Sequence, residues 1–157
     1  MQPRTRIGLT IGAIGLVLNI CVAGFLGFCG PVLSLVAGGV AGFLAAQQEQ
    51  QPTKAEGARA GATAGGIAGG LIILGQVIGG LGALAYYQYS GTPLPFGAAP
   101  SASAPATEML IYYLTGAGTG ICFGVIGALL AAGAGAGAGY LVTPDLPAVP
   151  PSQNIMS

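Results

Sequence analysis

The chain has 157 residues, 53% of them hydrophobic and only 5% charged, with no histidine and a formal net charge of zero. Soluble domains carry about 25% charged residues, so this composition cannot cover a water-facing surface and indicates an integral membrane protein; the mean hydropathy of +0.77 agrees. Four Lys and Arg against four Asp and Glu leave no electrostatic footprint for nucleic acid.

Residues 1–6 form a short N-terminal segment carrying Arg4 and Arg6. The first apolar run, "IGLTIGAIGLVLNICVAGFLGF" at 7–28, meets the ~20 residues a span needs. Its apolar character continues into the next run without a convincing cleavage site, so it reads as a retained anchor. "CGP" at 29–31 reads as a tight outer turn, with Pro31 placed to start the next helix. The second run, "VLSLVAGGVAGFLAA" at 32–46, covers only about 22 Å at 1.5 Å per residue, short of the ~30 Å hydrocarbon core. Gln47 and Gln48 are expected to complete it as a full span; a re-entrant segment is the alternative. "QQEQQPTKAEGAR" at 47–59, with Glu49, Lys54, Glu56 and Arg59, reads as a water-facing loop.

The third run, 60–87, is entered through "GARAGATAGGIAGG" at 57–70. In water each interior glycine costs a helix about 1 kcal/mol relative to alanine. Inside a bilayer an unpaired backbone group costs more, so the segment is expected to be helical. "QYSGTPLPFGAAPSASAPATE" at 88–108 reads as an extended outer loop. Within it Leu94, Pro95 and Phe96 are either a contact for a partner or part of a featureless spacer. The fourth run, 109–141, ends in "GAGAGAGYL"; it exceeds one crossing, so its Gly-Ala end is expected to protrude or fray. Residues 142–157 read as a disordered tail.

These elements predict an all-α integral membrane bundle of four transmembrane helices. Basic residues favour cytoplasmic flanks, and two spans separate Arg4 and Arg6 from Lys54 and Arg59. Both termini are therefore expected in the cytoplasm, the membrane being a prokaryotic inner membrane. Tyr86, Tyr87, Tyr89, Tyr112, Tyr113 and Tyr140 fall where the interfaces should lie. Cys21, Cys29 and Cys122 read as small buried apolar residues. Neither Ile20 nor Phe28 is the small residue that lipidation of the following cysteine requires.

Small residues recur at helical spacing. Gly57, Gly61, Gly65 and Gly69 form one series, continued by Gly75, Gly79 and Ala83, with Ala64, Ala68 and Gly82 on the same face and Ile72 interrupting it. Leu71, Ile73, Leu74, Val77, Ile78, Leu81 and Leu84 lie opposite. Gly116, Gly120, Gly124, Gly127 and Ala131 repeat the design in the fourth run, and Ser34, Gly38, Gly42 and Ala46 in the second. Lipid tails provide no hydrophobic drive between helices, so such faces associate by packing.

Glu49, Glu56, Glu108 and Asp145 all fall in loops or at helix ends, so carboxylate-based proton or sodium translocation lacks its residue. Asn19 and Gln76 reach the centres of their spans and are expected to hydrogen-bond across helices, worth about 0.6 to 2 kcal/mol. Together with Thr115 and Thr119 they could instead line a polar constriction. No histidine, CxxC, HExxH, nucleophile elbow or Walker loop is present, so neither an enzyme nor a bound cofactor is expected.

In size, four-span layout and glycine content the chain looks like the proteolipid subunits of rotary ATPase rings, but it lacks the buried carboxylate on which that family depends. More closely, "CGPVLSLVAGGVAGFLAAQQ" followed by a short charged loop and "GATAGGIAGGLIILGQVIGG" resembles small uncharacterised prokaryotic membrane proteins with glycine-zipper helices, over about residues 27–80. That resemblance implies no activity. The expected role is structural or accessory, with the bilayer and either further copies of the chain or other membrane subunits as partners. A small channel or permease, or a carrier holding a pigment or lipid cofactor by packing alone, are the alternatives.

Overall fold

Most of the described residues pair their backbone groups within helices, as an apolar chain would have to in a bilayer. The computed structural model describes residues 2–23, 29–93, 99–101 and 103–144. Four helices account for most of them: α1 (Pro3–Ala23), α2 (Cys29–Glu49), α3 (Lys54–Ser90) and α4 (Ala106–Val142). All four are long and apolar enough to cross a membrane. With 21 residues each, α1 and α2 are about 32 Å long. With 37 residues each, α3 and α4 reach about 55 Å.

The helix ends differ from those expected at several points. The second helix takes in Cys29, Gly30 and Pro31 at one end, and at the other it runs through Gln47 and Gln48, the residues expected to complete it, to Glu49. The turn expected at 29–31 is thus the first turn of α2, where a proline has no helical N–H to lose. The loop expected at 47–59 shrinks to residues 50–53. Thr53 caps α3, its hydroxyl accepting the Glu56 N–H at 3.3 Å, a Thr-x-x-Glu cap inside the supposed loop. Gln50 closes the turn with φ 45°. At the far end of α3, Gly91 adopts the left-handed conformation (φ 67°) and donates its N–H to the Tyr87 carbonyl.

Helices α2 and α3 each touch all three others, whereas α1 and α4 do not touch among the described residues. The section is therefore a diamond, with α2 and α3 across its short diagonal. Contacts between Gly8 and Ala64, Gly12 and Ala68, and Gly15 and Ile72 run α1 parallel to α3. Those between Gly38 and Ala131, and Gly42 and Gly135, run α2 parallel to α4. A small apolar core of Ile7, Ala41, Ala45, Ala64 and Ala68, flanked by Ile11 and Leu44, joins α1, α2 and α3.

At one end of the bundle Arg4, Arg6, Glu49, Lys54, Glu56 and Arg59 gather, while Glu108 opens α4 at the other. Glu49 Oε1 accepts the Arg4 backbone N–H at 3.0 Å and lies 4.0 Å from the Arg4 Nε. The other Glu49 oxygen accepts from Gln51 at 2.6 Å. The Lys54 ammonium sits 5.3 Å from the centre of the Tyr140 ring. At the opposite end α3 and α4 run on together for roughly 15 Å past the last described turn of α1. Polar rungs hold this extension: Tyr113 donates to Gln88 Oε1 at 2.6 Å, Gln88 Nε2 donates to the Met109 sulfur at 2.8 Å, and Tyr112 donates to the Leu84 carbonyl at 3.3 Å.

The Gly-Ala end of α4 does not fray. It stays helical to Val142, with Ala131, Gly135 and Gly139 buried because their four-residue spacing keeps them on the packed side. The cysteine reading also needs correction: Cys21 and Cys122 are free and exposed on the outside of the bundle. The small face of α1 points inward and turns Cys21 away. The loop residues Leu94, Pro95 and Phe96, and the tail from Asp145, lie outside the described residues, as does the side chain of Cys29.

Candidate functional site

Where α2, α3 and α4 meet, toward the charged end, backbone lies directly against backbone. The carbonyl oxygen of Ala131 faces Gly38 of α2 and Gly65 of α3. One turn on, that of Gly135 faces Gly42 and Gly61. A Cβ on any of these glycines would collide with the carbonyl it faces. The relation is reciprocal across α3 and α4, since a Cβ on Gly135 would strike the Gly61 carbonyl and one on Gly139 that of Gly57. With hydrogen in place of Cβ, the same geometry aims Cα–H groups at carbonyl oxygens, a contact worth about 0.5 to 1 kcal/mol each.

Further along α3 the spacing opens. A Cβ on Gly69 would lie 2.8 Å from the Ala128 Cα, one on Gly124 would meet Ile73, and one on Gly116 would meet Leu84. At Gly120 a Cβ would have ordinary room, 3.7 Å from the Val77 Cα. Thus Ile73, Val77 and Leu84, placed by their spacing on the outward side of α3, fill notches on α4 instead. Gly127 faces Ser34, whose buried hydroxyl donates to the Gly30 carbonyl one turn back at 2.8 Å. Gly75 packs on the Leu16 backbone of α1 and Gly79 is buried. Gly82, by contrast, has nothing near it and does not join the face.

A fourth small face escaped the sequence reading. Gly8, Gly12 and Gly15 bring α1 against Ala64, Ala68 and Ile72, and Asn19 continues the same stripe. The spacing of four, three and four was the available signal, diluted by the leucines and isoleucines between. Ile72, which seemed to interrupt the face of α3, is the knob that fills Gly15.

Asn19 and Gln76 both lie buried, 1% and 6% exposed, beside the same turn of α3. They are not bonded to each other, contrary to expectation. Asn19 Nδ2 instead donates to the Ile72 carbonyl at 3.1 Å, the carbonyl that also receives the helical N–H of Gln76 by i to i−4 pairing. The Gln76 amide packs on the Cα of Gly30 in α2. The oxygens of both amides are left without a hydrogen-bond partner. Thr115 and Thr119 do not join them: both are exposed on α4, and the Thr119 hydroxyl bonds the Thr115 carbonyl.

Outside this packing the surface is aliphatic, with Val17, Val32, Ile78, Leu110, Ile111 and Leu114 each more than half exposed. Among the described residues, no three His, Cys, Asp or Glu side chains converge as a metal site would require. No protein-family model, no curated protein and no solved structure matches this chain.

Proposed function

We propose that this is an integral membrane protein whose work is done by helix packing, as a structural or accessory unit that self-associates or joins a larger membrane complex. The observation that carries this reading is the double use of the Ala131 and Gly135 carbonyls, each approached by a glycine from two helices at once. Such contacts fix three helices rigidly without any reactive group. The aliphatic exterior supports a lipid surround. Arg4, Arg6, Lys54 and Arg59 share one end of the bundle, which supports a cytoplasmic placement of that end and of both termini, in a prokaryotic inner membrane. Glycines that face open space, Gly66 and Gly70 on α3 and Gly133 and Gly137 on α4, leave small surfaces for a neighbouring subunit.

Native mass spectrometry of the tagged protein in mild detergent tests this. A defined complex or a discrete homo-oligomer supports it; a strictly monomeric protein under every mild extraction overturns it. A second reading, a small-solute permease, is favoured by the unpartnered oxygens of Asn19 and Gln76. It predicts liposome flux that Asn19→Leu abolishes.

A further inference from the structure

Two clefts open at the charged end, and their charges differ. The larger, about 700 Å³, is lined by Arg4 and Arg59 together with Glu49 and Glu56, and so is balanced. The smaller, about 280 Å³, lies between α1 and α2 and is lined by Arg6, Ile7, Thr10, Ile11, Leu44 and Gln48. Its one charged group is the Arg6 guanidinium. Glu49, the nearest carboxylate in sequence to this rim, is engaged elsewhere: one oxygen takes the Arg4 backbone N–H and the other the Gln51 amide.

The smaller cleft is also graded in polarity along the helix axes. Arg6 and Gln48 lie near the helix ends, and both are exposed. Ile7, Ile11 and Leu44 form an apolar floor. One and two turns deeper on the same side of α1, Ile14 and Leu18 are 55% and 49% exposed and extend the apolar track toward mid-helix. A cationic donor at the surface above a descending apolar groove is the complement of one kind of molecule.

We propose that this cleft binds a phospholipid whose headgroup carries a single net negative charge, the phosphodiester on Arg6 and one acyl chain along Ile7, Ile11 and Leu44. The inference rests on the membrane reading above. Arg6 supplies charge-assisted hydrogen bonds; Gln48 offers its amide to a headgroup hydroxyl, and Thr10, whose own proton goes to the Arg6 carbonyl at 2.9 Å, can accept from one. No carboxylate lines the cleft to receive an ammonium, so an anionic headgroup is preferred over a zwitterionic one.

The test uses the full-length protein in nanodiscs of equimolar phosphatidylglycerol and phosphatidylethanolamine, released into native mass spectrometry. Wild type is expected to retain phosphatidylglycerol in preference. Arg6→Gln should cut that retention about tenfold, the loss of one charged hydrogen bond, and Arg6→Lys should restore part of it. Gln48→Glu, which adds a competing carboxylate, should abolish the preference, and Arg59→Gln in the balanced cleft should leave it unchanged. Inorganic phosphate in excess should not displace the lipid. Equal retention by wild type and Arg6→Gln, equal loss in Arg59→Gln, or displacement by inorganic phosphate would each overturn the proposal. Resistance of the vesicle-bound protein to alkaline extraction reports membrane insertion separately from any effect at Arg6.

Discussion

Gly61 on α3 and Gly135 on α4 each occupy the space where the other's side chain would begin: a Cβ on either would run into the partner's carbonyl oxygen. Because Gly42 presses on that same Gly135 carbonyl from α2, neither helix can yield without disturbing the third.

Gly61→Ala and Gly135→Ala should therefore each destabilise the bundle by about 1 to 3 kcal/mol, the usual cost of overpacking. Gly82→Ala and Gly118→Ala, where nothing lies within 4 Å, should be neutral or stabilising by up to about 1 kcal/mol through helix propensity. Reversible unfolding in mixed micelles measures both pairs. Equal losses at all four positions would show that these contacts do not hold the helices together.

The buried amides make a separate prediction. Asn19→Leu should cost about 0.6 to 2 kcal/mol for the lost bond to Ile72. Gln76→Leu, which removes an acceptor that has no partner, should cost less or stabilise. Combined, the two effects should add to within about 0.5 kcal/mol, and a coupling well above that would reveal a direct amide pair. Gly30→Ala should be harmful in wild type and rescued by Gln76→Ala, since its Cβ would enter the space of the Gln76 amide.

Cys21 and Cys122 report on the surroundings of the bundle. Both face outward, yet both lie within helices long and apolar enough to span a bilayer. In a Cys29→Ser background in sealed vesicles, a charged thiol reagent added to either side should leave both unmodified, and denaturation in SDS should make both reactive. Labelling in intact vesicles would place these faces in water.

The turn between α2 and α3 is the most easily improved part of the chain. Gln50 holds φ at 45°, where a non-glycine residue costs about 1 to 2 kcal/mol. Gln50→Gly should raise stability by about 0.5 to 1 kcal/mol after glycine's own entropy cost. Thr53→Ala should lower it by about 1 kcal/mol through loss of the cap on Glu56. Thermal unfolding of the two variants in detergent should move in opposite directions.

Much of the packing was legible because four-residue spacing is unambiguous. Gly57, Gly61 and Gly65 align on one side of any α-helix, and Gly38 and Gly42 do likewise. The Gly-Ala repeat was not legible: strict alternation against a period of 3.6 places small residues all round the helix. Only continuity with Gly124 and Gly127 selects Gly135 and Gly139 over Gly133 and Gly137 as the inner set. The helix ends were misjudged wherever polarity was taken as an end signal. Lys54 and Glu56, read as loop residues, open α3 under a threonine cap. The unpaired amides were half legible. Their depth could be read from position, but the backbone carbonyl that takes Asn19 is a matter of register between α1 and α3, which no local pattern encodes.

The two carbonyls shared by α2 and α3 belong to α4, which is made after the other three helices. Until Ala131 and Gly135 have been made and packed, the glycine strips of the two middle helices have nothing to close upon. Closure of the bundle therefore waits for α4, and a chain halted before Ala106 presents two open, adhesive faces to whatever surrounds it.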